Sequence, residues 1–247
     1  MKKLGFALAA LGLSVSTNVM ADAIGVYAGG YYWNIETEGG FSSDSAINDF
    51  NFSTEGQLSY YLAFEHPIPL IPNAKIKQSK LKMSGQAFFD DAYFFDKVTY
   101  TGNVATSIDV SQTDYILYYE ILDNDLVTLD LGLNGKKVSG DFSMNEANVG
   151  KTSQDVNGIL PMLYGAVKVG LPFTGFSLFA DGSFVSIDDH SVYDATGGVS
   201  YEFVDNMAVD MSVIVGYRAM SLELQDLDNI YTELTFSGAF AGVEIHF

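Results

Sequence analysis

Few residues in this 247-residue chain combine the types and spacing that chemistry requires. Asp188-Asp189-His190 places carboxylates directly beside an imidazole, and Asp90-Asp91 forms a second acidic pair about a hundred residues earlier. A carboxylate that orients a histidine can make it a general base toward water. Asp90, Asp91, Asp188 and His190 are therefore the catalytic candidates, set against the plainer reading of two solvated acidic loops. The other histidines, His66 in a proline-rich stretch and His246 next to the end, read as structural. Ser191 beside His190 is proximity in sequence, with no serine-centred constellation around it.

Other chemistry is excluded by composition. There is no cysteine, which removes disulfides and thiolate catalysis together. Acidic clusters recur (Glu36, Glu38, Asp44, Asp49; Asp141, Glu146, Asp155; Glu223, Asp226, Asp228), but none has the spacing and glycine of a calcium loop. No metal or cofactor is expected. These clusters fit solvated surfaces, or surfaces that recruit divalent cations. With 12 basic residues against 31 acidic, the chain is a poor partner for nucleic acid.

The elements that must position these groups begin after a leader. Met1 to Ala21 carries two lysines, an apolar run from Leu4 to Val15 and a small residue at its end. It reads as a signal peptide over 1–21, with the mature protein at 22–247. The run is too short to span a bilayer, which takes roughly 20 apolar residues. Removing it leaves ten of the 12 basic residues, a formal charge of −21.

Hydrophobic residues make up 48% of the chain, yet the mature part has no apolar run long enough for a membrane helix. Alternation replaces it. Leu58, Tyr60, Leu62 and Phe64 alternate with Ser59, Tyr61, Ala63 and Glu65; Val127 to Leu133 and Val209 to Tyr217 repeat the pattern. Period-two patterning puts one set on each face of a strand. About ten such strands are expected, near 23–36, 54–65, 74–86, 104–121, 126–139, 158–170, 176–186, 192–204, 207–222 and 231–247, each long enough for the ~9–11 residues a tilted membrane strand needs. The stretch 74–86 is awkward, because Lys75, Lys77, Lys80 and Lys82 leave neither face cleanly apolar.

Between the strands, tight turns (66–73, 123–125, 171–175, 205–206) take turns with longer polar segments (37–53, 89–103, 140–157, 187–191, 223–229). Four of the five prolines fall in the turns. Short connections on one side and long ones on the other predict an all-β fold: a transmembrane antiparallel up-and-down β-barrel with both termini periplasmic. The chain ends on an alternating strand, with Ala239, Ala241, Val243, Ile245 and Phe247 facing lipid and Phe240, Glu244 and His246 facing in. A barrel in lipid cannot leave an edge unpaired, so this strand is expected to close against the first. Two aromatic girdles are expected, from Tyr31, Tyr32, Trp33, Tyr193, Tyr217 and Tyr231 at the loop ends and Phe64, Tyr119, Tyr201, Phe203 and Phe247 at the turn ends.

Inward rows then carry a polar set: Glu65, Asp114, Glu120, Asp130, Lys168, Asp181, Asp194, Glu202, Asp210, Arg218, Glu244 and His246. Buried charges need partners, so Lys168 and Arg218 are expected to pair with acids such as Asp181, Asp210 or Glu202. Bulky inward rings (Tyr61, Tyr118, Tyr164, Phe179, Phe236, Phe240) should help to fill a barrel of this size. A plugged polar lumen is the preferred reading; a narrow cation-preferring channel is the alternative.

The start ADAIGVYAGGYYW (Ala21 to Trp33), the turn EHPIPLIPN (Glu65 to Asn73) and the segment QTDYILYYEILDNDLVTLDLGL (Gln112 to Leu133) resemble an uncharacterised family of small Gram-negative outer-membrane β-barrel proteins with a Gly-Gly in the first strand. The resemblance covers essentially the whole mature chain. It implies location and fold, and no activity or catalytic residues. The row Val243, Ile245, Phe247 is similar to the C-terminal signal read by the barrel-assembly machinery. The Asp90-Asp91 and Asp188/His190 sets resemble those of omptin proteases, also ten-stranded, although the strands expected here are shorter. The resulting expectation is a structural or interaction barrel with acidic extracellular loops and lipopolysaccharide as neighbour; the remote alternative is an omptin-like surface protease.

Overall fold

The computed structural model describes residues 24–247 apart from 45, 46, 125, 188, 189, 207, 228 and 229. The expected signal peptide, residues 1–21, and Asp188 of the candidate catalytic set lie outside the described residues. Alternating side chains fold into strands β1 (Gly25–Ser42), β2 (Asn51–Phe52), β3 (Glu55–Glu65), β4 (Asn73–Phe95), β5 (Val98–Asp123), β6 (Val127–Glu146), β7 (Gly150–Gly170), β8 (Phe176–Ile187), β9 (His190–Val204), β10 (Asp210–Leu227) and β11 (Ile230–His246). Each long strand pairs antiparallel with two neighbours in the ring β4-β3-β1-β11-β10-β9-β8-β7-β6-β5 and back to β4. The result is a closed ten-stranded antiparallel barrel; the two-residue β2 lies on β4 beyond the end of β3.

Closure runs to the last residue. Phe247 donates to the Val26 carbonyl at 3.0 Å and accepts from the Val26 amide at 3.2 Å. Tight turns hold the end that carries the termini: Asn73 Oδ1 accepts from the His66 amide at 3.1 Å, and Asn206 Oδ1 accepts from the Ala208 and Val209 amides.

The opposite, loop end departs from expectation. Much of what the sequence suggests as loop is strand: β4, β5 and β7 reach 23, 26 and 21 residues. Asp96 and Lys97, both at positive φ, close β4 onto β5 as a two-residue hairpin. Polarity misleads here because only the outward face is polar. Gln78, Lys80 and Lys82 point out of β4 while Leu81, Met83, Ala87 and Phe89 point in. Lys80 and Lys82 thus lie above the apolar belt, and Lys82 pairs with Asp109 at 3.0 Å.

The belt itself lies toward the turn end, from outward residues such as Leu58, Tyr60, Leu62, Tyr115, Leu117, Leu131, Leu133, Leu163, Val213, Val215 and Val243. Among the expected girdle residues, Tyr32, Tyr217, Tyr193, Phe64, Tyr119, Tyr201, Phe203 and Phe247 are exposed on this surface. Tyr31 and Trp33 are not: strand parity turns both inward, where they are buried.

Candidate functional site: a closed lumen with a vestibule

The barrel interior has three levels. The loop-end half is an apolar plug. Trp33, Ile35, Phe41, Phe95, Tyr100, Phe142, Met144, Leu234 and Phe236 are buried in one cluster. The segment between β1 and β3 adds Phe50, whose ring meets Phe41 edge-on at 5.1 Å. Phe89 stacks on Tyr93 at 4.0 Å. Gly39, at φ +94°, lets β1 pass the Glu233 carbonyl where a side chain has no room.

Below the plug lies a buried polar layer. Arg218 stands 4.5 Å over the Trp33 ring and donates to Asp194 through Nε (2.8 Å) and Nη2 (2.7 Å), and to Tyr31 and Ser79 through Nη1. Lys136 bridges Asp194 (2.9 Å) and Asp114 (2.7 Å). Asn134 donates to Asp114 at 2.6 Å and to Ser183 at 3.0 Å. Charge-assisted, forked bonding of this kind gives a buried ion cluster the geometry it needs to offset desolvation.

Toward the turn end the lumen opens into a vestibule of about 560 Å³. Tyr27, Tyr61, Tyr118, Tyr164, Phe179 and Phe240 wall it, with acids and lysines among them. Tyr118 donates to Glu65 at 2.7 Å and Tyr61 donates to Glu244. Tyr27 stacks on His246 at 4.1 Å, and His246 lies 3.3 Å from Asp210. The Gly-Gly of β1 has a steric reason on its inner side: a Cβ at Gly29 would occupy the space of the Tyr61 ring.

The expected lumen residues are distributed over these levels. Asp130, Lys168, Asp181 and Glu244 line the vestibule. Lys168 pairs with Glu244 at 3.9 Å, and Asp210 partners His246 at the rim. Glu202 shares the register of Ser212 near the same end. Arg218 takes Asp194 in place of the expected Asp181, Asp210 or Glu202: it is in register with Thr196, itself in register with Asp181, and its guanidinium reaches one inward position up β9 to Asp194. Sequence reasoning misses Lys75, Lys77 and Lys136 as inward bases. Lys136-Lys137 looks like a solvated pair, yet Lys136 shares the parity of Asn134 and is fully buried.

The described catalytic candidates, Asp90, Asp91 and His190, are kept apart. Asp90 and Asp91 are exposed at an irregularity in β4. His190 opens β9, five strands away around the ten-strand ring, and its Nδ1 accepts from the Gln225 amide at 3.2 Å. The aromatic plug fills the interior between them. Among the described residues no group of three or more acidic or histidine side chains is arranged to hold a metal ion. Val243 and Ile245 lie on the outer face of β11, in register with β1 at the seam, and Phe247 follows just past the strand's end.

Among solved structures the chain is similar to the outer membrane protease OmpT of Escherichia coli, with a TM-score of 0.56 at 12% identity over 92% of this chain and 98% of that one. Weaker likenesses include a Pseudomonas aeruginosa FadL homologue (TM-score 0.32, 8% identity, 92% and 90% covered) and the Pseudomonas putida toluene transporter TodX (0.29, 7%, 91% and 89%). No family model and no curated protein matches the chain. At such identities the likeness is one of fold: this is an antiparallel β-barrel of the outer-membrane kind.

Proposed function

We propose that the chain is an integral outer-membrane barrel of structural or interaction type. In this reading it is exported by residues 1–21, keeps both termini in the periplasm, and does not conduct solutes. The observation that carries it is the packed loop-end lumen, where Trp33, Phe41, Phe95, Phe142 and Phe236 are each at most 2% exposed. Side chains can fill a barrel of this width completely. The outward apolar belt supports the membrane setting, since hydrocarbon accepts Leu, Val and Tyr there and rejects charge. The outward acids above the belt, among them Asp90, Asp141 and Asp155, suit divalent cations shared with lipopolysaccharide phosphates. Val243, Ile245 and Phe247 suit recognition by the barrel-assembly machinery.

Planar-bilayer recording on the purified mature protein tests this reading. The expected result is no steady conductance, with any opening small and cation-selective because carboxylates outnumber bases in the vestibule. Large stable steps would replace it with the channel reading. Cleavage of peptides that disappears in His190→Ala would replace it with the protease reading.

A further inference from the structure

Charge in the vestibule is unevenly placed. Its floor meets the buried polar layer, where, among the described residues, the ion pairs of Lys77, Lys136 and Arg218 are made with Asp114 and Asp194 alone. Lys77 is 6% exposed, yet it lies 4.0 Å from an Asp194 carboxylate that Lys136 and Arg218 hold more closely. Among the described residues no hydrogen bond uses its ammonium. One step nearer the mouth, Lys75 places its ammonium 4.8 Å from the Tyr61 ring centre and 6.0 Å from that of Tyr164. No carboxylate of the described residues lies within 4.0 Å of it. Asp181 and Glu244 act on Lys75 from the walls, but Glu244 is already engaged by Tyr61 and Lys168.

One arc of the rim, on β3, β5 and β6, is opposite in sign. Glu65, Glu120, Asp123 and Asp130 line it, and no lysine or arginine among the described residues pairs with any of them within 4.0 Å. Lys168 on β7, at the level of Asp123, is held by Glu244. One buried oxygen of Asp130 has no hydrogen-bond partner. A simple anion would meet this acidic arc on its way in, and a simple cation would finish against two lysines. A molecule with a carboxylate at one end and an ammonium at the other meets complementary charge at both, between tyrosine walls that accept an apolar body.

We propose that the vestibule binds a small zwitterion of the amino-acid or short-peptide class, carboxylate inward against Lys75 and Lys77, ammonium outward against Glu120 and Asp130. The volume of about 560 Å³ suits such a ligand, since small-molecule pockets run from about 300 to 1,000 Å³. The inference rests on the closed lumen of the proposed function, because a through-channel would leave the lysine floor as part of a path.

The test is calorimetric titration of the full mature protein in detergent with three probes: alanyl-phenylalanine, its C-terminal amide and its N-acetyl derivative. The free dipeptide should bind, and each blocked form should bind at least about tenfold more weakly, as expected for loss of a charged hydrogen-bonded pair. Lys75→Met should remove the advantage of the free peptide over the amide. Glu120→Gln, at an exposed rim position, should remove its advantage over the N-acetyl form. Gel mobility before heating checks that each variant is folded. Failure of the free dipeptide to bind, equal binding of all three probes, or unchanged ratios in the folded variants would overturn the proposal. A protein that binds no dipeptide and still conducts nothing would overturn this inference alone.

Discussion

Asp194 is the carboxylate on which the polar layer converges: Arg218, Lys136 and Lys77 all face it. Removing its charge leaves three cations against Asp114, whereas removing Arg218 leaves two cations against two carboxylates. Uncompensated buried charge is the costly state, at about 3–5 kcal/mol for a broken pair. Asp194→Asn should therefore destabilise the barrel by about that much, and Arg218→Met by clearly less, although Arg218 also meets Tyr31 and Ser79. Urea titration of the vesicle-embedded variants measures the order; the reverse order would show that hydrogen bonding, not charge balance, governs this layer. At this scale the acids are legible in the sequence, because parity alone puts Asp114, Asp194 and Asp181 inside. Partners are not legible, because parity gives the face of a residue and not its height along a tilted strand. Lys136 could have been found by parity with Asn134, but its lysine neighbour hides it.

Individual strands show where alternation is informative and where it is not. Inside the belt the outer face is apolar and the inner face mixed, so β3, β10 and β11 stand out in the sequence. Above the belt the outer face meets water and the inner face the plug, so the same alternation continues with its polarity reversed. Phe142 and Met144 point in while Asp141 and Asn145 share the polar outer face of β6. Such stretches look like loops because they are rich in Ser, Asp, Asn and Gly. The face assignment makes a direct prediction. Arginine near the middle of the belt costs roughly 2–4 kcal/mol, so Leu131→Arg or Val213→Arg should sharply reduce folding into vesicles. Ser212→Arg, also inward and 8% exposed but nearer the open end and beside Glu202 and Glu244 in register, should fold better than either. Asn134→Arg does not belong with it despite also facing in, because Asn134 is 2% exposed and bonded to Asp114 and Ser183. Fractions of compact, heat-modifiable band on unheated gels give the comparison, and equal yields for Leu131→Arg and Ser212→Arg would mean the faces are misassigned.

For the whole molecule, closure depends on pairing the two ends of the chain, since β1 and β11 are neighbours in the ring and farthest apart in sequence. This seam is legible from the sequence: Ala239, Ala241, Val243 and Ile245 alternate with Phe240, Glu244 and His246 as a strand that can pair with β1. The division of the lumen into plug, polar layer and vestibule is not legible, because it arises from strands of different length and height meeting inside. Long-range pairing of this sort forms slowly, after its loop entropy has been overcome. The end of the seam is held by two hydrogen bonds between Phe247 and Val26. Each contributes about 0.5–1.5 kcal/mol, and the ring adds outward apolar surface. Deleting Phe247 should thus lower the yield of compact barrel in protein-free vesicles, where no assembly machinery can read a signal, while Lys151→Ala at the exposed loop end should not. On the proposed recognition of Val243, Ile245 and Phe247, the same deletion should have a larger effect in cells than in vesicles, losing that recognition along with the bonds. Equal losses in both settings would assign Phe247 to the seam alone, and no loss in vesicles would assign it to recognition alone.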